Sequence, residues 1–331
     1  MTLSIAALCI VIAMALVFDF VNGFHDAANV VATIVASRVL SPLHAVLLAG
    51  VANFAGYFTF GTAVAKMIGG GIVSVHSVGL LLVFTALLGA VAWNLGTWLM
   101  GLPSSSSHAL IGGLLGSAVA ASGFGVIIVP GIVKIVCFIF IAPVLGMAGA
   151  MVLTFVVQFL LRKTSRKTAD KRLKWLQLFA ALVNSVGHGT NDAQKTMGII
   201  AIALVAGGVS KAVHIDGWVV VSCYCAISLG TMCGGWKIVK TMGVQLTKIK
   251  PLEGFSSGIS SAAVLFGTAA LGIPVSTTHV IAGSIMGVGM VKGAKRVRWN
   301  TARKMVVAWF LTIPVSALAA GCLYWILNHF F

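Results

Sequence analysis

Apolar residues run along this chain in long stretches, each near the roughly 20 residues a helix needs to cross a lipid bilayer, and short polar segments part them. Period-two alternation is absent, so the pattern predicts an all-α polytopic membrane protein and not a barrel. The first segment, residues 3–38, is too long for one straight crossing and is interrupted at Asn22-Gly23, which reads as a broken helix. An apolar run over 45–68 follows, after a short loop holding Arg38 and His44, and then a span over 78–100. A helix start lies in GLPSSSSHALIGGLLG at 101–116, where proline at the first helical position stands before four hydroxyls. A long segment over 126–161, tilted or bent at Pro143, closes this series. The order then recurs: a broken segment over 175–206, spans near 217–236 and 254–271, a helix start in GIPVSTTHVIAGSIMG at 272–287, and a last span from 305. The expected total is about 10–12 membrane segments.

The recurrence extends to single residues. Gly23, Asp26 and Ala27 match Gly189, Asp192 and Ala193; Gly56, Gly61, Lys66 and Gly69 match Gly230, Gly235, Lys240 and Gly243. In the helix-start motifs Gly101, Pro103, Ser105, His108, Gly112 and Gly116 match Gly272, Pro274, Ser276, His279, Gly283 and Gly287. Matches in one order at nearly constant offset indicate duplication. The halves differ in charge: 292–304 carries six basic residues and 237–250 four, against none in 121–130 and one in 63–76. Because positive loops stay in the cytoplasm, equivalent loops face opposite sides, which implies inverted-topology repeats with both termini outside. The expected organisation is a first repeat over 1–161, a basic cytoplasmic loop over 162–174 (RKTSRKTADKRLK, seven basic residues and one acid), and a second repeat over 175–331.

Composition agrees. With 59% hydrophobic and 8% charged residues and a mean hydropathy of +1.07, a water-soluble domain is excluded. The net charge of +16 would suggest nucleic acid in a soluble chain; here it sits in short loops between apolar runs and reports topology. With no Lys or Arg before it and no small-residue cleavage site after it, the first apolar run reads as a retained span and not a signal peptide. The six cysteines lack the paired spacing of a zinc site and read as small buried hydrophobes.

Two kinds of polar group stand out in these surroundings. The helix starts at Ser104, Ser105, Ser106 and Ser107, and at Ser276, Thr277 and Thr278, combine free backbone N–H groups, a positive dipole end and neutral hydroxyl donors, which suits a tetrahedral anion held from two sides. Simple capping is the competing reading, favoured for one copy and disfavoured for two with the same spacing. Asp26 and Asp192 occupy equivalent positions in apolar segments, where a charge is costly and normally functional. Carboxylate and amide oxygens are hard ligands, suited to a small cation or, when protonated, to a proton relay; a structural ion pair is the alternative. Lys195 stands where the first copy has Asn29, so its ammonium either replaces a cation or touches the anion. Asp19 either joins this site or faces a vestibule. His25, His108, His188 and His279 all lie in the paired motifs and could relay protons or simply hold structure.

The motifs NGFHDAANVVATI, GHGTNDAQKTMG, LPSSSSH and IPVSTTH together resemble the inorganic phosphate transporter (PiT) family, across nearly the whole chain. The resemblance implies secondary transport of phosphate coupled to sodium or protons through inverted repeats. It implies an anion site at Ser104–Ser107 and Ser276–Thr278, and ion coordination at Asp26, Asn29, Asn191 and Asp192. Gln194-Lys195 in the second motif, and a central loop of only about 13 residues, look like the bacterial low-affinity branch, for which proton coupling and uptake of a neutral metal phosphate complex are expected.

The resulting expectation is a symporter, not an enzyme, of the bacterial inner membrane. It has no resident cofactor; H+ or Na+ is the coupling ion, and a divalent metal is cargo alongside phosphate. Inorganic phosphate and the lipid bilayer are the expected partners, and a homo-oligomer is left open. The alternatives are a permease for sulfate or another tetrahedral oxyanion, and a membrane receptor or scaffold that binds the anion without moving it.

Overall fold

The computed structural model describes residues 2–59 and 61–330. Its first six α-helices are α1 (Thr2–Ala36), α2 (Pro42–Ala55), α3 (Ala63–Gly70), α4 (Leu80–Leu99), α5 (Ser106–Ser122) and α6 (Val129–Leu161). Six more follow in the same order of long and short: α7 (Arg166–Ala206), α8 (Gly217–Cys233), α9 (Trp236–Lys240), α10 (Pro251–Ala270), α11 (Thr277–Val291) and α12 (Trp299–Phe330). Among the described residues, helices α4, α6, α12 and most of α1 are long and apolar enough to cross a bilayer, and counting α2 with α3 and α8 with α9 as bent pairs brings the number to six.

Packing exchanges the halves. Helix α1 lies on α8 as α7 lies on α2, α12 covers α4 and α5 as α6 covers α10 and α11, and α3 packs on α7 as α9 packs on α1. The two halves of the chain are therefore interlocked, with the last helix of each seated on the other. The matched glycines make these crossings possible. A Cβ on Gly23 would meet the Ile227 carbonyl oxygen of α8 at 2.1 Å, and one on Gly230 would meet that of Phe20 at 2.0 Å. Gly112 and Gly116 press on the backbone of α12 in the same way as Gly283 and Gly287 press on α6. Outer faces keep apolar side chains such as Val133, Phe140, Phe155, Phe310 and Leu318 exposed, as a lipid-facing surface requires.

Four local expectations are corrected. First, α1 and α7 are continuous through Asn22-Gly23 and through 175–206. Gly23 serves close helix crossing, and the Asn22 amide oxygen accepts a bond from Ser106, so neither residue has to unwind the helix. The breaks fall between α2 and α3 and between α8 and α9, the latter at Gly234 with φ +71°. Second, most of the basic stretch 162–174 is the first part of α7, capped by Ser165, whose hydroxyl accepts from the Thr168 N–H. His44 likewise lies in the first turn of α2. Third, Pro103 and Pro274 precede the helices instead of opening them; Ser105 and Ser276 are the caps. The chain reverses at Gly101 (φ +66°) and Gly272 (φ +64°), a conformation that glycine adopts without strain. Fourth, only Cys223 among the cysteines is buried; the other five face outward.

Candidate functional site

Helices α5 and α11, with 17 and 15 residues, rise about 23–26 Å, less than the ~30 Å of a bilayer core. Their first turns are fully inside the protein: Ser104 to Ser107 and Ser276 to Thr278 are at most 4% exposed. Both starts arrive at the polar stripe of α1, where Asn22, Asp26 and Asn29 share a face at helical spacing, and at Asp192 and Lys195 of α7.

The contacts form one network. Ser106 Oγ faces Asn22 Oδ1 at 2.5 Å and Asp26 Oδ2 at 2.8 Å. Thr277 Oγ1 faces Asp192 Oδ2 at 3.0 Å and Asp26 Oδ2 at 3.4 Å, so one hydroxyl of α11 bridges the acids of both halves. Asn29 donates through Nδ2 to Thr278 Oγ1 (2.9 Å) and Thr277 Oγ1 (3.2 Å), while Asn184 holds the Asn29 carbonyl at 3.0 Å. Lys195 Nζ donates to Asp192 Oδ1, to Ser107 Oγ and, at 2.8 Å, to the Val275 carbonyl. An ammonium has three N–H donors, and each one here has an oxygen acceptor.

Each aspartate also has a histidine. His25 Nδ1 lies 2.6 Å from Asp26 Oδ1, and its Nε2 lies near Thr97 Oγ1 (3.2 Å) and Ser104 Oγ (3.3 Å). His188 Nε2 stands 3.2 Å from Asp192 Oδ2, and its Nδ1 faces Asn53 Oδ1 at 3.4 Å. Asp26, His188 and Asp192 present ligand atoms within 4.8 Å of one another, a spacing and donor set that suit a small cation.

Of the residues singled out from sequence, Asp26, Asp192, Asn29, Lys195, Ser106, Ser107, Thr277 and Thr278 meet at this point. Ser105 and Ser276 do what the bland reading held: their hydroxyls accept from the N–H groups of His108 and His279 and cap the helices. Ser104 backs His25 instead of facing the acids. Asn191 is buried, and neither of its amide atoms has a hydrogen-bond partner. His108 and His279 pack on each other, ring centroids 4.6 Å apart, with His279 stacked on Trp309 at 4.0 Å; no hydrogen bond ties their rings to either aspartate. Sequence reading missed Thr97, Asn53, Asn184 and the Val275 carbonyl. Thr97 had a visible signal, its match to Thr268 in the repeat; a main-chain carbonyl has none. Gln194 has a structural duty as well, its Oε1 accepting from the N–H groups of Val64 (2.9 Å) and Ala65 (3.3 Å) at the start of α3.

Known proteins resemble this chain over nearly its whole length. Residues 22–320 match the family described as the phosphate transporter family. The chain is 46% identical over 324 residues to a probable low-affinity inorganic phosphate transporter of Rhizobium meliloti, covering 98% of this chain and 97% of the relative. It is 43% identical over 325 residues to one of Bacillus subtilis, covering 97% of each. A solved structure titled the sodium-dependent phosphate transporter superposes with a TM-score of 0.88 at 25% identity, covering 98% of this chain and all of the other.

Proposed function

This chain belongs to the phosphate transporter family, and from that premise we propose that it imports inorganic phosphate by alternating access, as a symporter driven by H+ or Na+, in a bacterial inner membrane. The observation that carries the reading is the convergence of two half-length helix starts, one from each half, on a buried site holding Asp26 and Asp192. Helix N-termini and hydroxyls favour an oxyanion. Carboxylates beside it do not, because like charges at low dielectric repel strongly. A phosphate can therefore stay there only if cations or protons enter with it, which makes co-binding a condition of occupancy and hence of coupling. Carriage of phosphate as a neutral metal complex would meet the same condition.

Lys195 supplies part of that charge from within the chain. Its all-oxygen surroundings of carboxylate, hydroxyl and carbonyl are those a sodium ion would take, and it holds the position equivalent to Asn29. On this reading the second half carries a tethered cation, and the mobile coupling ion belongs to Asp26, with His25, His188 and Asn29 nearby. In this arrangement the hydroxyls of Ser106, Ser107 and Thr277 are spent on internal acceptors. Phosphate binding exchanges those bonds for bonds to the anion.

Organisation as inverted repeats over 1–161 and 175–331, with both termini outside, follows from the loop charges, and the exchanged packing of the halves supports it. The test is labelled phosphate flux into liposomes holding the purified protein, under imposed proton and sodium gradients, with and without divalent metal and with sulfate as competitor. Gradient-driven accumulation with weak sulfate competition is expected. Absence of counterflow would mark a receptor and end the proposal.

A further inference from the structure

Three acidic side chains are fully buried near this site, and the network described above accounts for two. The third is Asp19, which is 0% exposed and lies on the same stripe of α1 as Asn22 and Asp26, two turns before the latter. Among the described residues no donor meets either of its carboxylate oxygens in good hydrogen-bonding geometry, and the side chains of Thr196 and Asn22 reach it only as weak donors. The hydroxyl of Thr196 stands beside it, also buried and also without a partner in good geometry. Asn22 and the thiol of Cys223 complete the immediate surroundings, with Tyr224 of α8 and the charges of Asp192 and Lys195 further off.

Among the described residues Lys195 is the cationic side chain that acts on Asp19, and its three donors are already committed to Asp192, Ser107 and Val275. A carboxylate in such a place, with no cation of its own and only weak donors beside it, is among the costliest groups a membrane protein can bury. Keeping it there is reasonable if it receives a guest that supplies positive charge. The structure also links it to the transport site by two short routes. Asn22, one turn on, accepts from the Ser106 hydroxyl that faces Asp26, and Thr196 adjoins Lys195 on α7. Helix α8 closes the other side through Cys223.

We propose that Asp19, with Thr196 Oγ1 and the Asn22 side chain, is a separate cation station that takes up one monovalent cation, a proton or a small alkali ion, in each transport cycle. The proposal rests on the reading of the protein as a coupled phosphate transporter and adds to it a binding position outside the Asp26 and Asp192 pair. When the cation is bound, the station is neutral and the excess negative charge near the phosphate falls by one. When it is released, that charge returns and disfavours the anion. Asp19 thereby ties phosphate release to cation release without touching phosphate.

The test uses the full-length protein in liposomes and two readouts. One is exchange of labelled phosphate between equal phosphate pools, with no ion gradient. The other is accumulation driven by a proton gradient or, separately, by a sodium gradient. Asp19→Asn carries the charge of the occupied station, so exchange should stay within about twofold of wild type while accumulation falls at least tenfold. The gradient whose effect is lost identifies the ion. Thr196→Val should give the same split in weaker form, and Asp19→Glu should restore accumulation. Wild-type accumulation by Asp19→Asn under both gradients would overturn the station. So would loss of exchange in Asp19→Asn together with unchanged gradient responses in Thr196→Val, since Asp19 would then be a structural group. Failure of the wild-type protein to exchange phosphate would instead refute the transport reading itself.

Discussion

The Thr277 hydroxyl on α11 stands 3.0 Å from Asp192 and 3.4 Å from Asp26, so a single oxygen from the second half of the chain meets an acid from each half. A hydroxyl has one proton and can donate to only one of them at a time. It is therefore placed to report which carboxylate holds a cation, and to turn toward a phosphate oxygen when both are neutralised.

Thr277→Val keeps the shape of this side chain and removes the bridge. A hydrogen bond to a charged group contributes about 1.5–3 kcal/mol, so phosphate transport should fall by roughly ten- to hundredfold, while Thr277→Ser should retain most of it. Initial rates of labelled phosphate uptake in liposomes, normalised to inserted protein, measure both. Equal rates for Thr277→Val and wild type would remove the hydroxyl from the mechanism.

The two aspartates should differ in what their loss does to the fold. Either Asp26→Asn or Asp192→Asn should abolish coupled uptake. Asp192→Asn also leaves the Lys195 ammonium buried without its carboxylate, and breaking a buried pair in this way costs about 3–5 kcal/mol. It should lower the thermal midpoint in detergent well below that of Asp26→Asn. The double variant Asp192→Asn with Lys195→Met should recover much of the loss.

Lys195→Asn restores at the second half the residue that the first half has at Asn29. If the ammonium is a tethered cation, removing it should add a requirement for a mobile one. Uptake by this variant should become strongly dependent on external sodium, or fall to background without it. Comparing uptake in sodium and in choline media checks this, and indifference to sodium with full activity would remove the tethered-cation role.

Helix crossings at matched glycines should be intolerant of even one carbon. Gly230→Ala would place a methyl 2.0 Å from the Phe20 carbonyl, and Gly116→Ala one 2.0 Å from that of Ala317, so α1 would separate from α8 in the first variant and α5 from α12 in the second. Both should lower the thermal midpoint. Gly96→Ala in α4, with open space at that position, should be neutral or stabilising by up to about 1 kcal/mol. Fluorescence-detected size exclusion after heating ranks the three.

How much could be read without coordinates depends on the kind of interaction. Membrane residence, helical class, duplication and the pairing of Asp26 with Asp192 follow from the sequence by itself, because bilayer thickness, backbone satisfaction and repeat spacing are one-dimensional constraints. The two helix starts were legible only to within a turn: the sequence points to Pro103 and Pro274 as first helical residues, whereas the caps are Ser105 and Ser276, two residues on. The continuity of α1 and α7 was not: whether Asn22-Gly23 breaks a helix depends on Ile227 of α8 and Ser106 of α5, both far away in sequence. Nor could sequence separate His25 and His188, which reach the aspartates, from His108 and His279, which pack on each other with His279 against Trp309; all four sit in equally convincing motifs. Which donors Lys195 uses, and which carboxylate is left without one, was decided only by tertiary structure. Hydrogen bonds are directional and short, so these pairings exist only once the two halves have been folded through each other.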